Sequence, residues 1–126
     1  MQTRTATRDD IDDVLQVLDA AALETDRELA RESVASGCAV VAVEERRLLG
    51  AAVCVPAESG VRIEAIAVRK RRQAQGIGTA LVEALLNRND RAVAEFGDRV
   101  RPFYESLGFE IEPVTAERYR GVWIVE

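Results

Sequence analysis

Two glycines, Gly76 and Gly78, stand two apart in the stretch QAQGIGTALVEALL, Gln73 to Leu86. They open a segment in which Ile77, Ala80, Leu81, Ala84 and Leu85 share one helical face. The first N–H groups of a helix have no internal acceptor, and the aligned peptide dipoles leave partial positive charge there. Such an end binds phosphate. Glycine carries no Cβ, so a pyrophosphate can approach the backbone at Gly76 and Gly78 closely. Thr79 adds a hydroxyl. Just upstream, Arg69 to Arg72 supply four positive charges, while the rest of the chain carries 13 basic against 22 acidic residues. A basic cluster on an acidic protein marks a local anion site. A solvated loop followed by a glycine-tightened turn fits the same residues. Two familiar phosphate motifs are excluded. No lysine follows the glycines, as a Walker A loop requires, and Leu81 stands where the dinucleotide fingerprint needs its third glycine.

A second chemical candidate lies in the apolar run VRIEAIAV, Val61 to Val68. Period two places Glu64 on the face of Ile66 and Val68. An acidic side chain in an apolar strand needs solvent, a partner or a role. The readings are a general base, or an ion pair with an arginine such as Arg62. Glu95 and Asp98 flank the end of a later short strand. Either can bind a substrate ammonium, and Asp98 also suits a helix cap. The chain has no histidine, so His-based triads and His-ligated metal sites are excluded, and no metal site is expected. Cys38 and Cys54 lie in apolar runs without a CxxC spacing and read as reduced, buried residues.

These groups need a scaffold. At 126 residues, with 48% hydrophobic and 31% charged residues, the chain is long enough to bury a core as one domain, residues 1–126. TRTAT reads as a short first strand. Thr7, three before Asp10, opens a variant capping box, followed by Ile11, Val14, Leu15, Leu18, Ala21 and Ala22 at helical spacing. Thr25 and Glu28 signal a second helix, which Gly37 ends. Cys38–Val43, Leu48–Val55 and Val61–Val68 are apolar runs with short turns and read as an antiparallel meander. The glycine-led helix follows, then a strand Ala92–Phe96, a short helix with Pro102 in its first turn, and strands Phe109–Glu112 and Tyr119–Val125. This is a mixed sheet with helices on its faces, an α/β (α+β) class of fold. The last strand is apolar on both faces and invites either its own chain or a second subunit, so a homodimer is plausible.

The net charge of -5 argues against general nucleic-acid binding. No run approaches a membrane span, and the first residues lack a signal-peptide core, so the reading is a soluble cytoplasmic protein.

Taken together, the chain resembles the GNAT superfamily of acyl-CoA-dependent N-acyltransferases. The signature [Q/R]-x-x-G-x-[G/A] stands as Gln73-Ala74-Gln75-Gly76-Ile77-Gly78, five residues after the strand IEAIAV ends at Val68. RPFYESLGFE is similar to a second family segment, and the order of elements matches over essentially the whole chain. The resemblance implies acetyl-CoA, or another acyl-CoA, as acyl donor, with its pyrophosphate on the backbone of Gln75 to Gly78. It places the pantetheine arm along the backbone of Ile66, Ala67 and Val68, and the outer phosphates near Arg71 and its neighbours. It implies that the Val68 N–H polarises the thioester carbonyl, that Tyr104, whose ring could equally be a core residue, serves the leaving thiolate, and that Glu64 is the candidate base, since some members use a glutamate of this strand, often through water. Many relatives carry an asparagine before the tyrosine segment; here the stretch is GDRVRPFY. The implied acceptor is a small-molecule amine or a peptide N-terminus. An acyl-CoA-binding or partner-binding module without catalysis is the alternative. The acidic residues of the first two helices fit either a cationic acceptor or a solvated surface.

Overall fold

A computed structural model describes residues 1–20 and 27–125. Ala21, Ala22 and the expected cap at Thr25 lie outside them. The chain begins with β1 (Gln2–Thr5) and α1 (Ile11–Ala20), separated by one 3-10 turn. The Asp10 carboxylate accepts hydrogen bonds from the Thr7 N–H at 2.7 Å and the Thr7 hydroxyl at 3.2 Å. It also pairs with Arg4 at 2.7 Å. This is the expected capping arrangement at the start of α1. Next comes α2 (Arg27–Ala35), then the meander β2 (Val40–Glu44), β3 (Arg47–Ala57) and β4 (Gly60–Val68). A crossover through α3 (Ile77–Leu86) leads to β5 (Arg91–Gly97), and α4 (Arg101–Ser106), β6 (Glu110–Pro113) and β7 (Arg118–Ile124) complete the order. No helix among the described residues is long and apolar enough to cross a membrane.

One seven-stranded sheet runs β1-β2-β3-β4-β5-β7-β6. Every neighbouring pair is antiparallel except β4 and β5, whose α3 connection makes them parallel. The helices cover both faces. Val14, Val17, Ala30 and Val34 of α1 and α2 pack on Val41, Ala51, Val53, Ala65 and Ala67. On the other face Leu81 and Leu85 of α3 and Tyr104 of α4 meet Leu49, Ala52, Ile63, Ala94 and Phe96. Continuous apolar runs in β2 and β3 follow from this double burial.

Two expectations change. β7 lies between β5 and β6, so its own chain pairs both of its edges. The apolar last strand therefore gives no ground for a homodimer. Cys38 and Cys54 are joined by a disulfide, not reduced. The register that pairs Val40 with Ala52 carries Cys38 to a position opposite Cys54, with their Cα atoms 5.8 Å apart.

Candidate active site

The site begins where the sheet opens. β4 and β5 pair only over Val61–Ile63 and Ala92–Ala94. Beyond these residues β4 continues to Val68 and β5 to Gly97 without pairing with each other, each held only by its outer neighbour. Gly60 fixes the apex: its φ is +104°, and a Cβ there would overlap the Arg91 carbonyl. A β-bulge at Glu64 shapes the β4 wall. Val53 pairs with Ala65 and Cys54 with Ile63, so Glu64 is the extra residue. The bulge shifts the phase of the strand. Val61 and Ile63 before it, and Ile66 and Val68 after it, all pack on the α3 side.

The opened strands enclose a cleft of about 840 Å³. Glu64, Ile66, Val68, Gln73, Ala74, Gly78, Glu95 and Tyr104 line it among the residues singled out from the sequence. The Arg69 N–H bonds the Leu49 carbonyl of β3 at 2.9 Å. Strand alternation then turns the N–H groups of Val68 and Ile66 away from β3, toward the cleft. The Ala67 side chain instead packs under α1 and α2, so only its backbone borders the cleft.

At the end of β4, the loop is held by its own side chains. Arg69 donates to the Leu48 carbonyl at 2.6 Å, and Gln73 Nε2 donates to the Val68 carbonyl at 3.1 Å. Arg72 binds Glu44 at 2.8 Å and Gln75 Oε1 at 2.8 Å. Ala74 and Gly76 adopt positive φ, +61° and +83°. The first α3 hydrogen bond runs from the Ala80 N–H to the Gly76 carbonyl at 3.0 Å. The six N–H groups from Ala74 to Thr79 therefore find no acceptor among the described residues. Left-handed residues followed by a helix N-terminus form an anion-binding concavity. No atom lies within 4 Å of a Cβ built at Gly76, and one at Gly78 would point at Phe103 and Ile66. The donor set and the open approach fit a pyrophosphate. Ile77 buries its side chain in the core and contributes only its N–H. Thr79 lines a depression between α3 and Trp123 rather than the cleft. Arg71 lies with Arg47, Arg69, Lys70 and Arg72 around an adjoining cavity of about 350 Å³.

Tyr104 forms the opposite wall. Its ring is 6% exposed and stacks on Phe96 at 4.4 Å between centroids, with edge contacts to Phe103 and Phe109 at 5.1 Å each. Its hydroxyl makes no hydrogen bond among the described residues. Burial pushes its pKa up to about 12, so it stays protonated at neutral pH.

Glu64 has the partner that the sequence left open. Arg62 Nε lies 3.0 Å from Glu64 Oε1, and the same guanidinium reaches Glu95 at 3.3 Å. Arg120 lies 4.0 Å from Glu95 and 3.9 Å from Glu112. Glu95 thus joins Glu64 in the cleft wall, inside a charge ladder across β4, β5, β7 and β6. Asp98 heads a 3-10 turn without a side-chain cap bond, and it does not line the cleft. Sequence reasoning missed Arg118, which lines the cleft because it sits opposite Gly97 across the β5–β7 ladder. No local pattern announces that position.

A family model described as "Acetyltransferase (GNAT) domain" matches residues 35–111. Solved structures share the fold. Ard1 from Thermoplasma volcanium has a TM-score of 0.83 at 20% identity, over 99% of this chain and 97% of its own. Rv2747 from Mycobacterium tuberculosis, in complex with CoA, has a TM-score of 0.80 at 19% identity, over 100% of both chains. The ribosomal-protein-S18-alanine N-acetyltransferase from Escherichia coli has a TM-score of 0.81 at 17% identity, over 99% of this chain and 94% of its own. No curated protein sequence matches the chain.

Proposed function

The chain belongs to the GNAT acetyltransferase family and is an acetyltransferase, and from that premise we propose that it moves an acetyl group from acetyl-CoA to a primary amine. The amine attacks directly while both substrates are bound. The observation that carries this reading is the run of six acceptor-free N–H groups, Ala74 to Thr79, at the mouth of a cleft that Tyr104 faces.

Each step falls to a residue in reach of that cleft. The backbone of Gln75 to Gly78 holds the donor's pyrophosphate, and Lys70 and Arg71 add positive charge outside it. Ile66, Ala67 and Val68 present the unpaired edge of β4, which takes an extended arm as an added strand. The Val68 N–H donates to the carbonyl oxygen as negative charge develops on it. One such donor contributes about 2.7–4 kcal/mol. Glu64 takes the proton from the attacking nitrogen, directly or through one water, with Arg62 fixing the carboxylate. The new C–N bond forms as the C–S bond breaks. Tyr104 donates a hydrogen bond to the departing thiolate. The acceptor is a small-molecule amine or a peptide N-terminus.

Acetyl-CoA with a panel of amines and short peptides tests the reading. Free thiol and the mass of the product are followed together. Acetyl-CoA-dependent appearance of an N-acetyl product supports the assignment. Tight acetyl-CoA binding without turnover of any amine returns the chain to the role of a binding module.

A further inference from the structure

The ionisable side chains of the cleft are not balanced. Besides Tyr104, the lining contains Glu64, Glu95, Arg99 and Arg118. The two carboxylates are already compensated by Arg62 and Arg120, which reach them from the sheet. Arg99 and Arg118 have no ion-pair or hydrogen-bond partner for their guanidinium groups among the described residues. Their chain neighbours Asp98 and Glu117 do not pair with them either. The cleft thus presents two uncompensated cations.

Their position separates them from the pyrophosphate cradle. Arg118 stands opposite Gly97 and Arg120 opposite Glu95, so Arg118 shares the sheet face of the Arg62–Glu95–Arg120 ladder. Phe96 and Tyr119 mark the other face, against which α4 packs and on whose side α3 lies. The cradle heads α3 and therefore belongs to that other side. Gly97 has no side chain to cover Arg118, and Arg99 follows Gly97 by two residues.

We propose that the acceptor is a small amino-carboxylate, whose carboxylate is held by Arg118 and Arg99 while its amine lies against Glu64 and Glu95. This rests on the acetyltransferase reading and narrows its substrate class. A guanidinium suits a carboxylate because it offers paired donors in a planar fork. Glu64 has only Arg62 as its ion-pair partner among the described residues and shares that guanidinium with Glu95, which leaves its carboxylate able to take the substrate ammonium as well. The reaction is balanced within this frame. The ammonium loses one proton to Glu64, the nitrogen forms its bond to the acetyl carbon and gives up its second proton through water, and the sulfur leaves with the C–S electron pair. The product keeps its carboxylate and loses its positive charge.

The test compares the standard amino acids, β-alanine and 4-aminobutyrate with their amides as acceptors, alongside short neutral peptides. Chemistry alone favours an α-amide, because its less basic amine is more often neutral. The proposal expects kcat/KM for the carboxylates to exceed that for the amides by about tenfold or more, the scale of a charge-assisted hydrogen bond. Arg118→Ala removes that preference by raising the acceptor KM, Arg118→Lys restores part of it, and Arg99→Ala acts in the same direction. Calorimetric affinity for acetyl-CoA stays unchanged in all three. Both arginines are exposed, so the variants fold. Equal or better use of amides or peptides overturns the proposal, and so does acetylation of no amino-carboxylate by protein that binds acetyl-CoA. A parallel loss of acetyl-CoA affinity in Arg118→Ala overturns it too, by assigning the arginine to the donor's phosphates. Wild-type protein that fails to bind acetyl-CoA instead removes the reading beneath it.

Discussion

Replacing Tyr104 with phenylalanine isolates one hydroxyl. The ring keeps its 4.4 Å stack on Phe96 and its edge contacts with Phe103 and Phe109. The lost hydroxyl leaves no orphaned partner, so stability changes by less than about 1 kcal/mol. Its chemical contribution follows from two acidities. Tyr104 is pushed up to about 12, whereas a thiol ionises near 8.5. Complete proton transfer to the thiolate is then uphill by roughly 5 kcal/mol. Under the proposed mechanism Tyr104 would therefore act by donating a hydrogen bond to the developing charge. A bond to a charged group contributes about 1.5–3 kcal/mol, or roughly 10- to 150-fold in rate. Tyr104→Phe should lower the single-turnover rate by that factor while calorimetric affinity for acetyl-CoA stays unchanged. Tyr104→Ala is a poor substitute, because it also opens a cavity and costs about 3–5 kcal/mol of stability. A single-turnover rate within twofold of wild type for Tyr104→Phe would refute the reasoning.

The remaining predictions concern the frame of the site. Gly60→Ala should destabilise the protein by more than about 2 kcal/mol, because the new Cβ overlaps the Arg91 carbonyl at a positive φ; urea denaturation measures the loss. In a Tyr119→Phe background, Tyr104 is the only tyrosine, and its ultraviolet titration should centre near 12 rather than the ordinary 10. The folded pKa lies above the unfolded one, so the folded state holds the proton longer. The associated stability is fully present below pH 10 and is lost as the pH rises through about 12, by up to roughly 3 kcal/mol. Comparing the pH dependence of unfolding in Tyr119→Phe with that of Tyr104→Phe/Tyr119→Phe, which lacks the group, checks the sign.

What the sequence revealed was local. The turn at Gly76 and the helix behind it depend on neighbours within a few residues, and backbone φ values and free N–H groups appear where the glycine spacing places them. The order of strands and helices was legible for the same reason, since each run carried its own period and stops. The bulge at Glu64 was not legible, because it exists only relative to Val53 and Cys54 on the neighbouring strand. The Cys38–Cys54 bond and the place of Arg118 beside the cleft likewise depend on cross-strand register. The last strand looked like a subunit edge because composition reports that a strand is covered, not by what. Glu64 was left with two readings, and the geometry shows its ion pair with Arg62 without removing it from the cleft.

The central claim is that the backbone cradle of Ala74 to Thr79 holds the donor. Calorimetric titration of acetyl-CoA into wild-type protein and Gly76→Glu tests it most directly. No protein atom lies within 4 Å of a Cβ at Gly76, so steric clash does not confound the result. The positive φ of +83° costs about 1–2 kcal/mol for any L side chain, so Gly76→Ala serves as the control for backbone strain. The account predicts micromolar binding to wild type, weaker binding to Gly76→Ala, and none to Gly76→Glu, whose carboxylate sits at the phosphate position. Equal affinity in wild type and Gly76→Glu, or no binding to wild type, would contradict it.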